Sequence, residues 1–170
     1  MDFLKNILIN VLFILSWNMI IFFMCIKIKD SRFNPNKKMF KEKDFEKSLN
    51  FYIKKLKIKK WKDYLPQYAA KNGFSKKSFI SKEIKYINKF ISETCRAEWN
   101  HKMCLLAIIP VILINSFFMS VIFSLFVIIT NVPYIFIQRY NRLRLLQLKK
   151  HICNKEKQYI KNSNKIKISY

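Results

Sequence analysis

The stretch Asn131-Val-Pro-Tyr-Ile-Phe-Ile-Gln-Arg-Tyr-Asn-Arg-Leu-Arg-Leu-Leu-Gln-Leu148 decides how the rest of the chain is read. It opens on the end of an apolar run that begins at Met103 and closes at Ile137. Gln138, Arg139, Tyr140, Asn141, Arg142, Arg144 and Gln147 then follow without a spacer. An apolar segment that ends this way sets its cations and amides at the lipid headgroup level. Two readings compete for the arginines. Arg139, Arg142 and Arg144 can grip a phosphate or carboxylate bidentately, or they can simply anchor a helix end. Gln138, Asn141 and Arg142 share one helical face, which suits the hydroxyls of a sugar or headgroup.

Working back from that stretch, the Met103–Ile137 run is 35 residues long. At ~1.5 Å per residue one straight helix would extend about 52 Å, well beyond a hydrocarbon core of ~30 Å. Asn115-Ser116, Pro110 and Pro133 offer places to bend or break it. Charge chooses among the foldings, because the flanks on both sides are strongly basic. A single crossing would put one flank outside, against the positive-inside bias, whereas a hairpin keeps both on the cytoplasmic side. Residues 103–137 are therefore expected to form a transmembrane or re-entrant hairpin, which brings His101 and Arg139 to the same membrane face.

Further upstream, residues 7–28 form another apolar block long enough to cross a bilayer. Asp2 and Lys5 leave its front nearly neutral, whereas Lys27, Lys29 and Arg32 follow it, so a retained anchor is expected rather than a cleaved signal peptide. Residues 30–102 are basic and expected as cytoplasmic or interfacial helices. Phe45, Leu49, Tyr52, Ile53 and Leu56 recur at helical spacing among lysines, the pattern of a helix lying on an anionic surface. Leu65-Pro66 and Asn72-Gly73 are turn signals. A second helix is expected from Ser81, with Ile84, Ile87, Ile91 and Cys95 as its stripe. Residues 138–170 read as a basic polar tail, loosely ordered after His151. The expected fold is a single all-α integral membrane domain over residues 1–170, multi-pass in the cell membrane, its basic regions cytoplasmic.

Composition narrows the partners. Lys and Arg number 33 against 10 Asp and Glu, a formal net charge of +23. That surplus suits anionic lipid, phosphate-bearing substrates or nucleic acid. The apolar residues arrive in blocks, which favours membrane lipids and sets nucleic acid aside. The lone glycine, Gly73, rules out a P-loop, a dinucleotide fingerprint and a G-x-S-x-G elbow. Cys25, Cys95, Cys104 and Cys153 lack metal-site spacing and are expected as free thiols, with no metal bound.

One cluster offers catalytic chemistry: Arg96-Ala-Glu-Trp-Asn-His101. On a helix Glu98 and His101 are i,i+3 neighbours, and a carboxylate that orients an imidazole makes a general base for an alcohol. The plainer reading is an interfacial histidine beside a Glu98–Lys102 helix pair. His151 with Glu156 only loosely mimics an acyltransferase H-x4-D motif and is discounted.

Two segments also carry a family resemblance. Arg96-Ala-Glu-x-x-His101, followed by Ile109-Pro-Val-Ile112 and Asn115, is similar to the carotenoid glycoside acyltransferases, the glycosyl-4,4'-diaponeurosporenoate acyltransferase family. So is Asn131-Val-Pro-x-Ile-x-x-Gln-Arg-Tyr-Asn-Arg142-x-Arg-Leu-x-Gln-Leu148, and Lys60-Trp61-Lys62 adds to it. Leu143 departs from the family, which tends to have proline there, and residues between Tyr64 and Ser92 match poorly. The resemblance implies an O-acyltransferase moving a fatty acyl chain to a sugar hydroxyl of a glycosylated carotenoid or similar glycolipid. It implies no bound cofactor, with acyl-CoA or a similar acyl thioester as co-substrate. His101 would be the base, oriented by Glu98. Arg96, Arg139, Arg142 and Arg144 would hold donor phosphates or the oxyanion, with Gln138 and Asn141 on the substrate. The competing expectation is a non-catalytic membrane protein whose basic surface binds anionic lipid or a partner enzyme.

Overall fold

The computed structural model describes residues 2–46, 49–65 and 84–168, and among them every regular element is helical. In order these are α1 (Asp2–Lys27), 3-10 turns at Asp30–Arg32 and Asp44–Glu46, a π-helical turn at Phe51–Lys55 and α2 (Ile58–Trp61). α3 (Ile84–Cys104), a 3-10 turn (Leu105–Ala107), α4 (Ile108–Ile114) and α5 (Phe117–Ile168) follow. Phe3–Lys27, Ile84–Ile114 and Phe117–Lys155 are each long and apolar enough to cross a membrane. The chain divides into two compact units, one of Met1–Lys41 with Ser92–Arg139, the other of Glu42–Ile91 with Tyr140–Tyr170.

In the first unit the contacts fix the register of its helices. Arg96 Nη1 donates to the Cys25 carbonyl at 2.6 Å, Trp17 Nε1 to the Met103 carbonyl at 3.2 Å, and Asn10 Nδ2 to Asn115 Oδ1 at 2.8 Å. As α1 descends from 25 to 10, its partners ascend from 96 to 115, so α1 and the α3–α4 arm are antiparallel. Val111 opposite Ser120, His101 opposite Asn131 and Glu98 opposite Arg139 give the same relation between that arm and α5. The chain turns between them at Asn115-Ser116, where Asn115 is extended (φ −111°, ψ 159°) and the Ser116 carbonyl takes the Ser120 N–H at 2.9 Å.

The two prolines act differently from Asn115-Ser116. Pro110 lies in the first turn of α4, where a missing N–H is tolerated, just after the chain tightens into the Leu105–Ala107 turn. Pro133 lies inside α5, which runs on through it. Ile14, Ala107, Val111, Met119, Phe123 and Val127 form the apolar core of the hairpin and α1. Outward, α1 exposes Leu8, Leu12, Leu15, Met19 and Phe23, and α5 exposes Phe118, Ile122, Leu125 and Ile129, the surface lipid would cover.

Asn10 is buried in this apolar setting, where an unpartnered amide is strongly disfavoured. It bonds Asn115 reciprocally, because Asn115 Nδ2 also donates to Asn10 Oδ1 at 2.8 Å. The remaining amide hydrogens go to the Asn6 and Val111 carbonyls, each at 2.9 Å. The hairpin tip is thereby tied to α1 by a saturated amide pair. At the other end of α1, Cys25, Phe33, Phe40 and Cys95 pack together with Trp99 against them.

In the second unit Ile87, Ile91 and Leu145 form a cluster, so the stripe expected on α3 is the buried one. The helix expected across Phe45–Leu56 is instead broken into short turns. Leu49 and Lys57 adopt positive φ (55° and 49°), which a continuous helix of L-residues does not accommodate. The local cause is Glu46, a buried carboxylate that accepts the Tyr52 hydroxyl and, at 2.7 Å, the Lys43 N–H. The tail also differs from expectation. α5 continues to Ile168 because the residues after His151 include neither proline nor glycine and are rich in straight-chain lysines. Ser81, Pro66 and Asn72-Gly73 lie outside the described residues. All four cysteines are free thiols.

Candidate functional site

His101 is held from two sides by α5. Its ring stacks on Tyr134 with centroids 4.8 Å apart and planes 11° from parallel. Its Nδ1 lies 3.0 Å from Asn131 Oδ1. Asn131 Nδ2 is already donating to the Val127 carbonyl at 3.0 Å, one helical turn back, so the amide orientation is fixed. The oxygen therefore faces the imidazole and must accept, which puts the proton on Nδ1. Neutral His101 then carries its lone pair on Nε2, the arrangement a general base needs.

Glu98, expected to orient His101, is wholly buried and turned to other partners. Its Oε1 accepts from Arg139 Nη1 at 2.9 Å and from Lys102 Nζ at 2.5 Å. Arg139 also donates from Nη2 to the Lys41 carbonyl at 3.2 Å, and Lys102 to the Met39 carbonyl at 3.2 Å. A buried carboxylate is tolerable when cations and hydrogen bonds surround it, and here they do. Arg96 is likewise committed. Its guanidinium donates to the Cys25 carbonyl in the last turn of α1 and to the Ile28 carbonyl just after it, pairs with Asp30, and lies 4.4 Å from the centre of the Phe33 ring. It closes the C-terminus of α1, where a cation also meets the negative end of the helix dipole. Gln138 is half-buried.

The remaining expected residues belong to the second unit. There Tyr140, Arg142, Leu143 and Leu145 are buried, Asn141 is half-buried and Arg144 is exposed. Tyr140 packs 5.9 Å, centroid to centroid, from Tyr52, whose hydroxyl bonds Glu46. Arg144 lies 5.7 Å from the centre of the Tyr140 ring. Of Arg96, Arg139, Arg142 and Arg144, Arg144 alone has its side chain open to solvent.

Asn131 and Tyr134 were quoted from sequence only as parts of a motif, yet they are the groups that touch His101. A signal existed. His101 and Asn131 each lie 15 residues from Ser116, so a hairpin turning there sets them opposite one another. The register also fixes depth. Between the Cys25–Arg96 and Trp17–Met103 contacts, His101 falls near the level of Met19, about 12 Å before Lys27 at ~1.5 Å per residue. Met19, Phe22, Phe23 and Ile26 are all exposed there, so the apolar belt of α1 extends past the histidine.

The family model described as glycosyl-4,4'-diaponeurosporenoate acyltransferase matches residues 36–151. Proteins of that name from Staphylococcus aureus strains MRSA252 and N315 are 35% identical over 126 residues, covering 72% of this chain and 74% of theirs. The protein of that name from strain bovine RF122 / ET3-1 is 34% identical over the same extent. No solved structure matches.

Proposed function

The chain belongs to the glycosyl-4,4'-diaponeurosporenoate acyltransferase family and is an acyltransferase; from that premise we propose that it esterifies a sugar hydroxyl of a glycosylated carotenoid or similar glycolipid, with an acyl thioester such as acyl-CoA as donor. The observation that carries this reading is the His101–Asn131 contact, which leaves Nε2 as a base. Nε2 takes the proton of the sugar hydroxyl as its oxygen attacks the thioester carbonyl. The tetrahedral intermediate then collapses, the C–S bond breaks, and the departing thiolate takes the proton back from Nε2. Water must be kept out if the ester is not to be lost to hydrolysis, and the depth of His101 below Lys27 serves that end.

Asn131 and Tyr134 position the ring, and Glu98 positions α5 against α3 through Arg139. Gln138 is the binding group we assign to sugar hydroxyls in the first unit. In the second, Asn141, Arg142 and Arg144 are assigned to substrate, Arg144 being the exposed cation. Arg96 supports the end of α1, a role its oxygen partners favour over substrate contact. The three apolar spans and the positive-inside bias support a multi-pass protein of the cell membrane with its basic segments cytoplasmic.

The test is His101→Ala, with His101→Gln as a near-isostere, in lipid-reconstituted protein. Acyl transfer is expected to fall by about 10²–10⁴-fold while membrane insertion is kept. Undiminished transfer in an inserted His101→Ala protein would remove the histidine from the chemistry.

A further inference from the structure

Resting on the acyl-transfer reading, we propose that the groove at the C-terminal end of α1 holds the phosphate-bearing nucleotide end of the acyl donor, a coenzyme A thioester. The groove measures about 570 Å³ and is formed wholly within the first unit. Lys27, Lys29, Arg32 and Lys37 line it, and all are exposed. Among the described residues none of these cations is paired with a carboxylate. Asp30, the acidic residue in this segment, is occupied by Arg96.

The backbone that carries the cations is built, not loose. Turns close at Phe33 N–Asp30 O (2.9 Å), Lys37 N–Asn34 O (3.1 Å) and Phe40 N–Lys37 O (2.8 Å). Phe33 and Phe40 are buried beneath, and Ser92 Oγ ties the Phe33 carbonyl to α3 at 3.1 Å. Unneutralised cations of one sign, held close together on a fixed frame, raise the local potential for anions and repel one another until an anion arrives. Its size is that of a pocket for a small molecule rather than a single ion.

Two features favour the nucleotide end over a lipid headgroup. Several cations converge, which matches a ligand with a diphosphate and a ribose phosphate better than one with a single phosphodiester. Trp99, half-buried, lines the same groove beside the charges, a combination that suits a nucleobase next to phosphate. Along the helix axis the groove lies close in level to the base: Trp99 is two residues before His101 on α3, and Met39 at the groove takes Lys102 on its carbonyl at 3.2 Å. This assigns donor phosphates to Lys29, Arg32 and Lys37, in place of Arg96 and Arg139, whose guanidinium groups are engaged within the fold.

The experiment uses the full chain in nanodiscs of uncharged phosphatidylcholine, wild type against Lys29→Ala/Arg32→Ala/Lys37→Ala, with Arg32→Ala alone as a milder variant. The probes are coenzyme A, adenosine 3′,5′-bisphosphate and pantetheine, titrated calorimetrically. Losing three exposed cation–phosphate contacts should weaken the two phosphorylated probes by about tenfold to hundredfold and leave pantetheine unchanged. In turnover, KM for acyl-CoA should rise with kcat kept. Equal binding of coenzyme A by wild type and triple variant would overturn the proposal. So would a loss confined to phosphatidylglycerol vesicles, which marks a lipid headgroup site. Binding is read without turnover, so a chain that takes coenzyme A in the groove yet transfers no acyl group refutes the reaction and not the groove.

Discussion

Replacing Asn131 by Leu removes the oxygen that holds His101 Nδ1–H while keeping side-chain volume close to that of the amide. The structure gives the size of the effect. Among the described residues the 3.0 Å contact is the one polar partner fixing the ring, and the Tyr134 stack holds its plane but not its tautomer. Leaving a desolvated imidazole N–H without its acceptor costs about 1–3 kcal/mol, or roughly fivefold to hundredfold in turnover if that energy is spent aligning the base. The assay is the initial rate of acyl transfer from a labelled acyl thioester to glycolipid in nanodiscs. Because Asn131 acts through His101, the loss should fall on kcat, with KM changed by less than about twofold. Wild-type kcat in Asn131→Leu, or a loss that falls on KM with kcat kept, refutes the tautomer argument.

Two further outcomes follow from buried polar contacts. Glu98→Ala leaves Arg139 and Lys102 facing a buried site without their carboxylate and should destabilise the protein by about 3–5 kcal/mol, read from thermal unfolding in detergent; an unfolding midpoint equal to wild type would show that the pair does not hold α3 to α5. Asn10→Leu and Asn115→Leu each orphan an amide between helices and should each cost about 1–2 kcal/mol, with the double substitution recovering part of the loss; additive losses would count against the pairing.

The fold was legible where apolar run length and charge agreed. The basic flanks on both sides of Met103–Ile137 demand a return, and Asn115-Ser116 supplies the turn. The Phe45–Leu56 segment misled because helical spacing of apolar residues carries no sign of Glu46, whose buried carboxylate draws in Lys43 N–H and Tyr52 and leaves Leu49 at positive φ. The tail misled for the opposite reason: polarity was read as disorder, whereas nothing in its residues stops α5. At the site, i,i+3 spacing along one helix could not see partners that come from another. The acceptor for His101 came from across the hairpin, and so did the cation for Glu98.

That exchange of partners has a physical logic. An imidazole beside a carboxylate is a stronger base, yet a carboxylate at the depth of Met19 would sit in the apolar belt with a large desolvation penalty. A neutral amide supplies the same acceptor with no charge, and its own N–H is satisfied by the Val127 carbonyl. The negative charge is instead one turn nearer the polar end, on Glu98, where Arg139 and Lys102 can both reach it. The arrangement thus separates two tasks that a single carboxylate would combine: a neutral group selects the tautomer, and a compensated ion pair locks α3 to α5. Such a base works only on a hydroxyl delivered to it inside the apolar belt. A free sugar in water would be stripped of its hydration to reach His101, whereas a sugar carried on a lipid or carotenoid tail is brought there by burial of the tail, at ~25 cal/mol per Å² of apolar surface. With His101 as the base proposed above, its position favours a lipid-borne acceptor.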